Sequence, residues 1–383
     1  MSYQKFLADH LFTGKEMLDQ SVVVITDSRG NIHDLVSKAD AGDDVQLFRG
    51  TICPGFINAH CHLELSHMFN ILPEGTGLVD FLIGVFQQRH FPESSIASAI
   101  TAADAAMHNA GIVAVGDISN TPFTIETKTQ SQLCYRNFIE VTGYIPGIAA
   151  QRFANIEQVY QAFTDALPHV SIVPHAPYSV SPELFGMINA NSKGKIISIH
   201  NQETAAEDAL YQDASGDFFR LYETLGVDIS FTKPYRQSSV QTYLPWLRDT
   251  AATLLVHNTC ISEADLQFIK AQHQAIHYCC CINANLYIEN KVPPIELLRK
   301  HDAQICLGTD SLASNHQLSI AAEIKTIRQH FPQIPLAEVL QWATYNGAVA
   351  LGFDDTLGSI EKGKQPGLLL IEDTDTMAVK RLI

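Results

Sequence analysis

Charge is scarce in this chain, and positive charge is scarcest: 25 Lys and Arg stand against 41 Asp and Glu, and charged residues make up only 17% of 383 positions. The formal net charge of −16 repels phosphate backbones and anionic membrane surfaces, which argues against a nucleic-acid partner and for a small-molecule substrate. No apolar run approaches the roughly 18 residues that a bilayer span requires. Met1 to His10 carries Lys5 and Asp9 without an apolar core, so no signal peptide is read and a cytoplasmic location is expected. No G-x-G-x-x-G follows the first apolar run, which argues against a dinucleotide fold. The eight cysteines lack disulfide-like spacing, and Cys279, Cys280 and Cys281 are adjacent; all are expected to be reduced core thiols.

What is present is a 46% hydrophobic content, ample for a large core. Up to about residue 50 the chain reads as short strands and turns, for example Ser21 to Thr26 followed by the turn Asp27 to Gly30. From Thr51 short β-branched runs alternate with helical-period stretches. The strand candidates are Cys53 to Ala59, Ile112 to Val115, Asn137 to Val141, Val170 to Val173, Lys195 to Ile199, Thr253 to Val256, Ala275 to Tyr278 and Ala303 to Leu307. Between them, Glu93 to Asn109, Ile156 to Leu167, Glu263 to Gln272 and Leu318 to His330 carry helical spacing. This is the rhythm of a (β/α)8 barrel or an open doubly wound sheet. After about residue 354, strand and turn chemistry returns, and the two ends are read as one small β-domain: 1–50 with 355–383, against 51–354 for the larger unit.

In a parallel barrel, function gathers where strands end. His60, Cys61 and His62 follow the first run, His200 to Glu203 the fifth, His257 and Asn258 the sixth, and Asp310 the eighth. Each places a metal-ligating or proton-transferring side chain directly after an apolar strand.

Pro54 to Ser66 (PGFINAHCHLELS) resembles the first strand of the amidohydrolase superfamily, and His200 with Glu203, His257, and Gly308 to Ser311 match its later motifs in order. Gly358 to Leu370 is similar to its closing β segment, except that Gln365, Pro366 and Gly367 stand where an Ala-Asp pair is usual. The resemblance implies a distorted (β/α)8 TIM barrel with a small β-sandwich domain formed by both termini. It also implies one divalent metal, Zn²⁺ or Fe²⁺, held by His60, His62, His200 and Asp310. Glu140 lies inside its strand, and a single-metal arrangement is expected. Such a ligand set leaves room for a water whose pKa the metal lowers towards about 7. Asp310 and His257 would move and stabilise charge on that water, and Glu203 would carry a proton to a ring nitrogen of the substrate, which points to deamination.

Pro174 to Pro182 (PHAPYSVSP) and Ser311 to Asn315 (SLASN) are similar to segments of deaminases acting on adenosine-type thioethers, guanine and related rings. His62 to Ser66 (HLELS) with Gly75 to Arg89 resembles aminofutalosine deaminase-like members. The expected activity is release of ammonia from an aminopurine nucleoside or related N-heterocycle, of adenosine or aminodeoxyfutalosine type. His175, Glu64, Arg89, Arg236, Ser311 and Asn315 are the substrate-contact candidates, with Arg136 a third arginine near a segment assigned to the rim. A homodimer is the candidate assembly. Competing readings are hydrolysis of a cyclic amide, amidine or C–Cl bond at the same site, and an inactive scaffold. His62-Leu63-Glu64 also fits half of the cytidine-deaminase signature, but the required P-C-x-x-C is absent.

Overall fold

The structure, a computed structural model, describes residues 3–383; Met1 and Ser2 of the N-terminal segment read above lie outside the described residues. Eight strands carry the larger unit: β1 (Phe56–Cys61), β2 (Ile112–Ser119), β3 (Cys134–Val141), β4 (Val170–Pro174), β5 (Ile196–Asn201), β6 (Ala252–His257), β7 (Ile276–Cys280) and β8 (Ile305–Leu307). They form two four-stranded sheets, β4-β3-β2-β1 and β5-β6-β7-β8, parallel throughout. Every residue of β1 and β6 is buried, which is why these strands read as continuous apolar runs with no alternation.

The edges of the two sheets meet on both sides. At one seam the His200 amide donates to the His175 carbonyl at 2.9 Å, and at the other the Thr309 and Asp310 amides donate to the His60 carbonyl at 3.0 and 3.1 Å. Helices connect the strands: Glu93–Asn109 has the bounds expected from its spacing, and Ala149–Ala166, Glu263–Ala271 and Ile320–His330 occupy the other expected stretches. The fold is therefore α/β with parallel sheets.

The strand expected over Cys53 to Ala59 is two strands, divided at Gly55. Thr51–Pro54 pairs antiparallel with Leu368–Asp373, whereas Phe56–Cys61 enters the parallel set. A Cβ at Gly55 would lie 2.2 Å from Val113 Cγ1 and 2.8 Å from the Pro366 carbonyl oxygen, so only glycine fits where the two sheet systems cross. The N-terminal segment alone forms a small sheet of four strands (Tyr3–Leu7, Val22–Asp27, Ile32–Ser37, Val45–Leu47), and both chain ends share one of five (His10–Phe12, Met17–Leu18, Thr51–Pro54, Leu368–Asp373, Ala378–Arg381). Phe6, Val24, Leu11, Ile52, Leu368 and Leu370 pack in one buried cluster drawn from both sheets.

All eight cysteines are free. Cys53, Cys61, Cys279, Cys280, Cys281 and Cys306 are buried, but Cys134 is exposed and Cys260 half-buried, so the expectation of core thiols does not extend to those two. Among the described residues no helix is long and apolar enough to cross a membrane.

Candidate active site

The strand ends on one side of the parallel sheets bring their polar residues together. β1 stops at Cys61, and the chain turns at once into a short 3-10 helix, Leu63–Met68, because the Leu63 amide is captured by Asp117 Oδ1 at 2.7 Å. This turn lets His60 and His62 face one point. After β8, Asn58 holds Thr309 from both sides, accepting from its amide at 3.0 Å and donating to its hydroxyl at 2.8 Å. At Gly308 a Cβ would meet Cys279 Sγ at 2.8 Å and His60 Cβ at 2.9 Å, so the chain can pass this close to β1 only as glycine. His257 and Asp310 have φ of 73° and 58°, a left-handed conformation that non-glycine residues adopt at a cost and that recurs at functional sites.

Four side chains converge. His62 Nε2 lies 3.1 Å from His200 Nε2, and Asp310 Oδ1 lies 3.5 Å from His62 Nε2 and 3.7 Å from His60 Nε2. His60 is fully buried, and neither ring nitrogen has a hydrogen-bond partner. A buried imidazole nitrogen without a partner is costly unless a ligand meets it; Nε2 is the one that faces Asp310, and nitrogen and carboxylate donors of this kind suit a divalent zinc- or iron-like ion. The residues therefore fit the metal that the sequence resemblance implies. His200 Nδ1 donates to the His175 carbonyl at 2.7 Å; since a carbonyl only accepts, the proton is on Nδ1 and Nε2 presents its lone pair.

Burial pushes His62 down to about 3 and His200 and His257 well below the ordinary histidine value, leaving the rings neutral as metal ligation demands. Burial acts to raise Asp310, but His60, His62 and His257 outweigh it and hold the carboxyl well below the usual carboxylate range. Glu203 goes the other way. Burial, followed by the negative charges of Asp310, Glu289 and Glu207, lifts it well above a normal glutamate, which favours its protonated form. Its Oε1 stands 3.6 Å from His257 Nε2, and the His257 ring is braced by Asn285 at 3.1 Å from Nδ1. An acidic proton beside a charged carboxylate and neutral imidazoles is the division of labour that acid–base chemistry needs.

These groups open into a cavity of about 660 Å³ whose lining includes His62, His175, His200, Glu203, His257 and Asp310. Leu78, Phe81, Leu82, Val85, Ile148, Ile156 and Leu221 supply apolar wall. Of the substrate-contact candidates, His175, Arg89 and Ser311 line it. Glu64 lies beneath, accepting from the Asn120 and Thr121 amides at 3.0 and 3.1 Å, with Arg89 3.5 Å away. Asn315 is buried and donates to the Thr309 carbonyl and to Glu323, bracing the loop that bears Asp310. Arg236 is 73% exposed and pairs with Asp213, outside the cavity lining. Arg136 packs under Phe353 and donates to the Leu351 carbonyl, early in β3 and away from the strand ends. The sequence reading missed Arg152, a cavity-lining residue on helix Ala149–Ala166, because a single arginine among the polar residues of an amphipathic helix carries no signal. It also missed Ser314, whose hydroxyl donates to Asp310 Oδ2 at 2.7 Å.

Comparison with known proteins adds the lineage. The family model described as "Amidohydrolase family" matches residues 51–383. The chain belongs to the amidohydrolase family. Among the amidohydrolases similar to it is a protein of Saccharophagus degradans named 5-methylthioadenosine/S-adenosylhomocysteine deaminase, 27% identical over an alignment that covers 94% of this chain and 80% of that one. A Helicobacter pylori protein named adenosine deaminase is 26% identical, with 84% and 79% covered. The crystal structure of Helicobacter pylori aminofutalosine deaminase in complex with methylthio-coformycin superposes with a TM-score of 0.83 at 24% identity, covering 99% of this chain and 97% of that one. The amidohydrolase fold thus extends over the whole chain. Like these relatives, the protein is a hydrolase of C–N bonds other than peptide bonds.

Proposed function

We propose that this amidohydrolase is a metal-dependent deaminase that releases ammonia from an aminopurine nucleoside. The observation that carries the reading is the buried Glu203, its pKa raised by burial, standing 3.6 Å from His257 at the edge of a cluster formed by His60, His62, His200 and Asp310. In the architecture proposed here, the two parallel sheets close into a distorted (β/α)8 barrel over 51–354. The ends, 1–50 and 355–383, form a β-sandwich domain to which Thr51–Pro54 reaches across.

His60, His62, His200 and Asp310 would hold one divalent ion, zinc by donor type. When bound, that ion activates water for attack on the amine-bearing carbon. Glu203 donates its proton to the adjacent ring nitrogen, which makes the ring carbon electrophilic and is a step that simple amide opening does not need; it takes a proton back from the added hydroxyl as the amine departs and the ring carbonyl forms. His257, neutral and braced by Asn285, stabilises charge that develops at the same carbon. Asp310, ionised, accepts a proton and passes it towards the departing amine. Opening of a cyclic amide leaves the raised pKa of Glu203 without a task, and an inactive scaffold leaves the four converging donors without one.

The cavity volume of about 660 Å³ falls within the ~300–1,000 Å³ typical of small-ligand sites. Its apolar wall suits a nucleoside with an apolar extension on the sugar, such as the thioether of 5′-methylthioadenosine. The test is ammonia release from adenosine, 5′-methylthioadenosine, S-adenosylhomocysteine, aminodeoxyfutalosine and guanine by the zinc-loaded protein. Glu203→Gln should lower kcat by orders of magnitude at unchanged metal content. Metal loss in that variant would move Glu203 into the coordination sphere, and hydrolysis of cyclic amides without ammonia release from any purine would overturn the reading.

A further inference from the structure

Glu140 is a buried carboxylate that the proposed reaction does not use. It is the penultimate residue of β3, and the register of β3 on β4 sets Glu140 opposite Val173 and Val141 opposite Pro174, next to His175. Its two oxygens are in unlike surroundings. Oε1 accepts from Asn120 Nδ2 at 3.0 Å, and the same amide nitrogen donates to the Glu140 carbonyl. Oε2 is buried and has no hydrogen-bond partner; the group it faces is His200 Nδ1, 3.7 Å away.

A buried carboxylate oxygen without a protein donor is costly, and burial accordingly raises the Glu140 pKa. Positive charge arriving within reach relieves that cost. His200 can deliver that charge: its Nδ1 proton already points to the His175 carbonyl, and its Nε2 lone pair faces His62 across the proposed metal site. A dication on Nε2 draws electron density through the ring and leaves positive charge on the Nδ1 side, where Glu140 Oε2 stands. A second metal between Glu140, His175 and His200, whose ligand atoms lie within 4.8 Å of one another, is disfavoured by the same hydrogen bond, because His200 Nδ1 is protonated and has no lone pair to offer.

We propose that Glu140 is a positioning residue for the metal centre, acting through His200, and that Asn120 holds it in place. This inference rests on the metal reading above but not on the identity of the substrate. The group that accepts the second ring N–H of a metal-ligating histidine typically contributes 10- to 100-fold in metal affinity; here that group is the His175 carbonyl, so Glu140, 3.7 Å from Nδ1 without a hydrogen bond, should contribute less, about 3- to 10-fold.

The experiment is zinc titration of the chelator-stripped full-length protein, competed against a chromogenic chelator, which requires no turnover. Glu140→Gln should raise the zinc Kd about 3- to 10-fold, below the full effect of a hydrogen-bonded partner, Glu140→Asp should recover part of that loss, and Asn120→Ala should show a smaller effect. The thermal midpoint of the metal-free protein should stay close to wild type in Glu140→Gln, since the amide keeps the shape of the side chain and an oxygen for Asn120. Zinc uptake with unchanged affinity in Glu140→Gln overturns this inference alone. The same result accompanied by a raised KM would assign the carboxylate to substrate and overturn it equally. A wild-type protein that takes up no zinc overturns the metal reading together with it.

Discussion

Asp310 shows how much of the site depends on single contacts. One oxygen accepts from Ser314 and the other faces His60 and His62, so the carboxylate is aimed by a hydroxyl four residues on. Asp310→Asn keeps the shape but loses the charge and the basic oxygen; kcat should fall by several orders of magnitude with the fold intact, as circular dichroism would show. Ser314→Ala removes only the aim and should cost about 10- to 100-fold, in line with the roughly 1.5–3 kcal/mol of a hydrogen bond to a charged group. The histidines set a pH dependence. Burial lowers His62 to about 3 and His175 to about 4, against about 6.5 in the unfolded chain. Below 6.5 the unfolded chain therefore binds protons that the folded chain refuses, so stability is present above that pH and is lost as pH falls towards 4 and 3. The thermal midpoint of metal-free protein should drop steadily from pH 6.5 to 4, and His62→Asn should flatten the slope. Legibility at this scale followed chemistry: His60, His62, His200, Glu203, His257 and Asp310 stand out because polar residues end apolar runs. Glu140 was passed over because it lies inside its run, and a strand buried on both faces does not reveal which side chains reach the rim.

Among the elements, β2 and the short helix Ile125–Gln130 carry a feature that no periodicity showed. Lys128 Nζ lies 2.6 Å from Asp117 Oδ2 with both side chains fully buried, and it also donates to Asn137 and Ser119. Asp117 in turn captures the Leu63 amide that turns the chain behind His62. Removing one partner of a buried pair leaves the other uncompensated, so Lys128→Ala should destabilise by about 3–5 kcal/mol in denaturant unfolding. Because Asp117 would then be free to shift, the β1 turn should loosen as well, and zinc affinity should fall along with stability. Helix Glu93–Asn109 was legible from its sequence because its spacing is regular and Pro92 and Gly111 bracket it. The division of Cys53 to Ala59 into two strands was not, because Pro54 and Gly55 interrupt an otherwise apolar run without revealing that the pairing partner lies more than 300 residues away.

At the scale of the whole molecule, the two chain ends and the parallel sheets are tied at a few places. Leu368–Asp373 lies against Thr51–Pro54 in register Leu368 to Pro54 through Ile371 to Thr51, immediately before β1, and the Gly55 amide donates to the Pro366 carbonyl at 3.0 Å. Arg381 reaches further, donating to the carbonyls of His108 and Ile112 at 2.7 and 2.9 Å, at the start of β2. Residues 355–383 therefore cover the strand that leads into His60 and His62. Deleting them would leave Thr51–Pro54 paired only with His10–Phe12, its other side an open apolar edge, and expose Leu11, Ile52 and Val24, a template for aggregation. The truncated chain should lose soluble expression, not merely activity. A milder test leaves the chain whole: Arg381→Ala removes two hydrogen bonds to buried carbonyls and should cost about 1–3 kcal/mol. In that variant the zinc content and the ammonia-release KM should stay near wild type, because Arg381 acts at the opposite end of β2 from the strand ends that bear the site. A loss of zinc at unchanged stability would mean instead that the terminal sheets set the position of β1 directly.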